Sequence, residues 1–374
     1  MKYRLQEMDY LRGFAALSVI AIHVTSGYTA NGRSGFVLNQ IVRYAVPMFI
    51  ILSGFVTYYA DAGRGRFSCV GFLRRRLGKV LWPYVFWTAF YVLYASRQLY
   101  QAVGWGAVLQ SDRLLALGSH LLFGTGYYHL YFLLIVFQLY LLYPCLRILL
   151  QKKPVPFLIS TFILTLLSQT GIYLHQINII VLPDIGMPYV SLFPLWIFYF
   201  VFGMYLASVK ELNNLLYGKE VFWVTAWLGS LLILLVDSRW TNTGDSSIKP
   251  SMMLYSLVAY FFFYLLALRF KKMRKGIESI GESGKIKKNM GLEGIVNWLS
   301  AQSFLIFLFH PLVLDQLLLL HENTGLPILW QGKVGMVGLF LATTVITFIF
   351  TYIACFIPWV QVVGGVYMKK RRVV

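Results

Sequence analysis

Charge is scarce in this sequence, and negative charge scarcer still. Of its 374 residues 13% are Asp, Glu, Lys or Arg, about half the roughly 25% of a soluble domain. Acidic residues number 14 against 33 basic ones. No polar stretch is long enough to fold apart as a soluble domain, so residues 1–374 are read as a single unit. The three cysteines, Cys69, Cys145 and Cys355, lack metal-ligand spacing and map to ends and loops expected in the cytoplasm. Disulfides and a zinc site are therefore not expected, and no metal is assigned. No A-x-A-like site follows the first hydrophobic segment, which is read as an uncleaved helix. No internal repeat is detectable, and that weakens a secondary-transporter reading.

Hydrophobic residues, by contrast, make up 58% of the chain, and its mean hydropathy is +0.67. The balance predicts an all-α polytopic membrane bundle. About ten transmembrane spans are expected, at 10–29, 41–60, 80–98, 128–148, 155–176, 189–208, 220–237, 252–269, 298–320 and 334–358, each near the roughly 17–25 residues a bilayer requires. With the N-terminus inside, only Arg33, Arg43, Arg97, Arg113, Arg239, Lys249 and Lys333 face outward, and Arg12 lies within the first span. All other Lys and Arg fall inside, so both termini are expected in the cytoplasm. The net charge of +19 is thus mainly topology, and no nucleic-acid partner is expected. Membrane lipids with anionic headgroups are one partner for the basic face, a polyanionic cofactor another. The stretch 270–297 reads as a flexible basic linker with room for a short interfacial helix, and 99–127 as an outer stretch with room for another. Spans five to eight carry few polar residues and are given a scaffold role.

Arg12 and His23 share the first span. Eleven residues at about 100° each return to within about 20° of the same face, with the two side chains roughly 16 Å apart along it. Ionisable groups at such depth usually face a bundle interior or an aqueous cavity. A neutral imidazole suits a general base acting on a hydroxyl, and it equally suits a structural or proton-pathway role. Arg12 can hold an anionic donor or pair with Asp9, three residues earlier.

Four further clusters carry candidate chemistry. Arg43 heads the second span with Pro47 just below it and Ser53-Gly54 further in; the plain alternative is a snorkelling arginine above a kink. Arg74, Arg75 and Arg76 precede Trp82-Pro83-Tyr84, and adjacent arginines point around a helix, so at least one should face the bundle. Their guanidinium groups suit phosphate, or serve as a positive-inside anchor. Tyr127-Tyr128-His129-Leu130-Tyr131 suits an interfacial aromatic belt or a sugar-stacking platform. In the ninth span Ser303 and His310 lie about two turns apart on one face, and a hydrogen-bonded packing role is the favoured reading of His310.

Taken in order, these segments resemble the membrane-bound acyltransferase family 3, multi-span O-acyltransferases of bacterial surface polysaccharides and lipid-linked sugars. The matching pieces are Arg12 and His23, Val46 to Gly54, the arginines ending in Trp82-Pro83-Tyr84, Tyr128 to Leu133, and Ser303-Phe304 with His310. They run over essentially the whole chain. The first-half pieces look like the branch that O-acetylates enterobacterial common antigen. Trp196 to Gly203 and Phe309 to Asp315 look closer to the branch of the poly-N-acetylglucosamine adhesin, discussed both as an acyl-modifying enzyme and as an exporter. Tyr131 stands where many relatives have Trp, and the extracytoplasmic esterase-like domain of many members has no counterpart, so transfer is expected to finish in the bundle or with a partner protein.

The resemblance implies a bacterial cell-membrane enzyme that takes acyl-CoA, most often acetyl-CoA, as cytoplasmic donor substrate. The donor's phosphates would meet Arg74, Arg75 or Arg76, with Arg12 nearer the pantetheine entrance. His23 would be the general base for a glycan or lipid-linked sugar acceptor bordered by Arg43, Tyr128 and His129. Ser53 and Ser303 are conceivable acyl carriers. The alternatives are an exporter or flippase of a surface polysaccharide such as poly-N-acetylglucosamine, and a non-enzymatic partner of a glycan-synthesis protein.

Overall fold

A computed structural model describes residues 5–30, 32–62, 67–97, 111–209, 216–281, 290–324 and 330–368. Among these residues the chain is helical, with short 3-10 turns and no strand. The α-helices are α1 (Gln6–Ser26), α2 (Arg33–Val42), α3 (Ala45–Asp61), α4 (Cys69–Ala95), α5 (Ser111–Phe123), α6 (Tyr131–Lys152), α7 (Pro154–Gln176), α8 (Ile197–Ser208), α9 (Glu220–Trp240), α10 (Pro250–Gly281), α11 (Met290–Thr324) and α12 (Gly332–Ala354). Among the described residues seven segments are long and apolar enough to cross a membrane: α2 with α3, α6, α7, α9, α10, α11 and α12. The chain is an all-α polytopic membrane protein. Its inner and outer sides are those that the distribution of Lys and Arg implies.

Helix α1 lies at the centre. Its apolar residues Leu11, Ala15, Val19 and Ile20 are buried, and it packs on α11 and also on α2, α3, α10 and α12. A central helix carries its charges only where partners receive them. Glu7 accepts from Lys271 at 2.8 Å, and Asp9 accepts from Ser300 Oγ at 2.6 Å.

Helices α3 and α8 meet backbone to backbone. A methyl group at Gly54 would strike the carbonyl of Phe200, and one at Gly203 the carbonyl of Ile51. Reciprocal glycines permit an approach that larger side chains forbid, and they fix Ser53 next to this seam.

Three expected segments differ in detail. The second span begins earlier, as α2, and breaks at Arg43 and Tyr44 before α3. Pro47 has no N–H for the Arg43 carbonyl four residues back, and its ring crowds that carbonyl. The sixth span is not one helix over 189–208 but two 3-10 turns, Tyr189–Ser191 and Phe193–Leu195, followed by α8. Pro194 forbids a continuous ladder there. The exposed backbone finds side chains instead: Gln138 donates to Ser191 O at 2.7 Å and accepts from Phe193 N at 3.1 Å. Thr165 donates to Pro194 O at 2.8 Å and Gln169 to Leu195 O at 2.9 Å. Broken backbone at membrane depth survives only with such partners, so spans four and five hold specific polar anchors. Finally, α10 continues to Gly281 and α11 starts at Met290, so helix occupies much of the stretch expected to be a flexible linker. Lys, Arg and Glu are good helix formers once the chain has left the apolar layer.

After α12 the chain turns back along the bundle. Gln302 donates to Val366 O at 2.6 Å and accepts from Val366 N at 3.0 Å, while Trp87 donates to Val363 O at 3.0 Å.

Candidate functional site

Arg12 and His23 open onto different cavities. The inner one, about 510 Å³, takes Arg12 from α1, Ser53 from α3, Arg76 and Lys79 from α4, Tyr140 from α6, Ser300 and Ser303 from α11, and Gly364 to Val366 from the returning tail. The outer one, about 860 Å³, takes His23, Tyr28, Arg33, Tyr128, Asp315, His321 and Lys333. Both volumes fall in the roughly 300–1,000 Å³ range of small-molecule sites. Among the described residues none lines both.

The inner cavity is basic at its mouth and apolar toward mid-membrane. Arg76 and Lys79, one turn apart on α4, line it together with Arg12, whereas Arg74 and Arg75 are exposed and do not line it. Arg76 stands 5.9 Å over the ring of Tyr140, whose hydroxyl is 2.9 Å from Ser53 Oγ. Ser303 Oγ donates to Ser300 O at 2.9 Å. Cations in a half-enclosed cavity receive phosphate oxygens through charge-assisted hydrogen bonds. Farther in the lining turns to Phe49, Leu52, Phe132, Leu133 and Val136, which suits an apolar arm.

Around His23 the sequence-distant clusters converge. Its ring centroid is 4.7 Å from Tyr128 and 5.2 Å from His310, and His129 lies 6.1 Å from His310. Both His129 and His310 are buried. Nδ1 of His310 meets the carbonyl of Ile306 at 3.1 Å. A carbonyl only accepts, so Nδ1 carries the proton and Nε2 keeps its lone pair. Among the described residues that Nε2 has no hydrogen-bond partner. The packing role expected of His310 therefore covers only half of its ring. Tyr127 stacks on Tyr91 at 4.3 Å and donates to Asp315. Burial, with the Asp315 carboxylate beside it, pushes the Tyr127 phenol above its ordinary range, so it stays a neutral donor. Among the described residues no group of three His, Cys, Asp or Glu is arranged to hold a metal ion.

Arg43 lines neither cavity. It is 5% exposed, which rules out snorkelling. Its Nε donates to Asn39 Oδ1 at 2.7 Å, and its Nη1 to Asp245 O at 2.6 Å and Ser247 Oγ at 3.2 Å. Asn39 in turn donates to Ile22 O at 3.0 Å and Thr25 Oγ1 at 2.9 Å. Those residues flank His23, so Arg43 holds the outer turn of α1 from behind instead of bordering the outer cavity.

Lys79, Tyr140, Asp315 and the tail residues Gly364 to Val366 also line the cavities, although the sequence motifs assign them no role. Lys79 was legible, because it lies three residues after Arg76 and shares its face. Asp315 carried a weaker signal, an acidic residue within an apolar span. Nothing local marks the tail.

The family model of the family 3 acyltransferase domain matches residues 5–357. No curated protein and no solved structure matches the chain. From α1 to the end of α12 this chain belongs to acyltransferase family 3.

Proposed function

We propose that the protein transfers an acyl group, most often acetyl, from acyl-CoA at the inner cavity to a hydroxyl of a glycan or lipid-linked sugar at the outer one, in a bacterial cell membrane. One observation carries this reading: a single helix presents Arg12 to a basic inner cavity and His23 to an outer cavity. Arg76, Lys79 and Arg12 receive the phosphates and the pantetheine arm. The acceptor sugar rests against Tyr128, near Asp315 and His23.

In the transfer step His23 takes the proton of the acceptor hydroxyl as its oxygen attacks the thioester carbonyl. A C–O bond forms and the C–S bond breaks. The proton ends on the departing sulfur, giving the free thiol of CoA. Ser53 and Ser303 line the donor side, and direct transfer needs neither. Burial of His129 and His310 keeps water from the innermost part of this centre, which strengthens every polar interaction there.

The exporter reading requires a passage wide enough for a polymer. Against it stand the packed rings of Phe49, Phe132 and Phe307 between the cavities, and the family's acyltransferase chemistry. The test is release of CoA thiol from acetyl-CoA by the purified protein. Turnover lost in His23→Ala agrees with the proposal, and turnover intact in that variant removes His23 from the chemistry.

A further inference from the structure

Three phenylalanines from three helices separate the two cavities. Phe49 and Phe132 are the outermost residues that α3 and α6 give to the inner cavity. Phe307 of α11 closes the gap, with ring centroids 6.4 Å from Phe49 and 5.0 Å from Phe132, and Phe49 is 6.2 Å from Phe132. On its outer side Phe307 touches His129 at 5.3 Å and His310 at 6.3 Å, and His310 touches His23. The rings thus stand between the donor's apolar arm and the imidazoles.

We infer that Phe49, Phe132 and Phe307 form the selectivity element for acyl length and restrict the donor to short acyl groups. The inference rests on the donor and acceptor sides proposed above. A thioester advancing from the inner side leads with its acyl tail, and the carbonyl follows. The whole tail must therefore be housed beyond the rings before the carbonyl reaches a hydroxyl at His23. The room directly beyond the rings is filled by His129 and His310, which are 2% and 0% exposed, and the outer cavity past them holds the acceptor sugar in the reading above. A two-carbon group passes when one ring turns about its side-chain torsions, whereas each further methylene must displace packed side chains in an interior as dense as a crystal. One methylene changes discrimination by about 10–200-fold in a tight pocket.

The test compares acetyl-CoA and hexanoyl-CoA as donors for the purified full chain, reading free CoA thiol, in wild type, Phe49→Leu and Phe307→Leu. Each ratio is taken on one preparation, so a partly unfolded variant does not distort it. Wild type is expected to turn over hexanoyl-CoA at least about 100-fold more slowly than acetyl-CoA, and either variant to raise the hexanoyl-to-acetyl ratio about tenfold or more. A wild type that uses both donors alike, or ratios unchanged in both variants, overturns the selectivity element while leaving the donor reading intact. A wild type inert toward both donors overturns the donor reading, and the selectivity element falls with it.

Discussion

His310 packs its imidazole 5.2 Å from that of His23, bringing the ninth expected span against the first. The proton on Nδ1 of His310 is committed to the Ile306 carbonyl, so Nε2 is left as a buried acceptor without a partner among the described residues. Replacing His23 by Ala is expected to lower acyl transfer by about 10²–10⁴-fold, the usual contribution of a positioned general base. His23 lines the outer cavity and is partly exposed to it, so the thermal transition should move less than the rate. Rates measured beside thermal unfolding check this.

On the donor side, Arg76 and Lys79 line the inner cavity and Arg75 does not. Loss of a charge-assisted hydrogen bond costs about 1.5–3 kcal/mol, or roughly tenfold to 100-fold in affinity. Arg76→Ala and Lys79→Ala should each raise the KM for acetyl-CoA by that order, while Arg75→Ala changes it less than about twofold. Equal effects in all three would mean a diffuse surface charge and no defined donor mouth.

Arg43 has a different expected signature. Its removal strands the buried Asn39 Oδ1, a loss of about 1–3 kcal/mol, and releases the loop carbonyl of Asp245. Arg43→Ala should therefore lower the unfolding temperature in detergent and depress the rate together, through the loosened turn around His23. A raised acceptor KM with unchanged stability would instead make Arg43 a direct acceptor contact.

The α3–α8 seam offers a stability test away from the chemistry. Gly54→Ala drives a methyl into the Phe200 carbonyl, and overpacking of this kind costs about 1–3 kcal/mol. Gly203→Ala should do the same from the other side against the Ile51 carbonyl, and the double variant should fall short of additivity because both force the same two helices apart. Unfolding temperatures of the four proteins decide it.

Much of this was legible in the residues. The spacing of Arg12 and His23 required one helix face, and hydropathy marked the long apolar helices of an all-α membrane protein. Pro47 announced a kink, whose place at Arg43 follows from the carbonyl four residues back. What stayed hidden depended on partners distant in the chain. Arg43 read either as a snorkelling residue or as a border of the acceptor, because Asp245 and Ser247 reach it from a far loop. Gly54 and Gly203 each stood inside a segment of interest, but only the folded chain reveals that each faces the backbone of the other's helix. Hydropathy also could not show that 189–208 breaks, since Gln138, Thr165 and Gln169 repair the broken backbone from neighbouring helices. The division between the cavities was invisible for the same reason: Phe49, Phe132 and Phe307 are ordinary apolar residues until three helices bring them together.

The most direct measurement is the acyl content per sugar of the cell's surface glycans, in cells with the gene, without it, and carrying His23→Ala at equal protein abundance. Acyl transfer through His23 predicts that acyl groups per sugar fall on deletion and are not restored by His23→Ala, while the amount of surface glycan holds. Unchanged acyl content per sugar together with loss of glycan from the surface would contradict it and favour export.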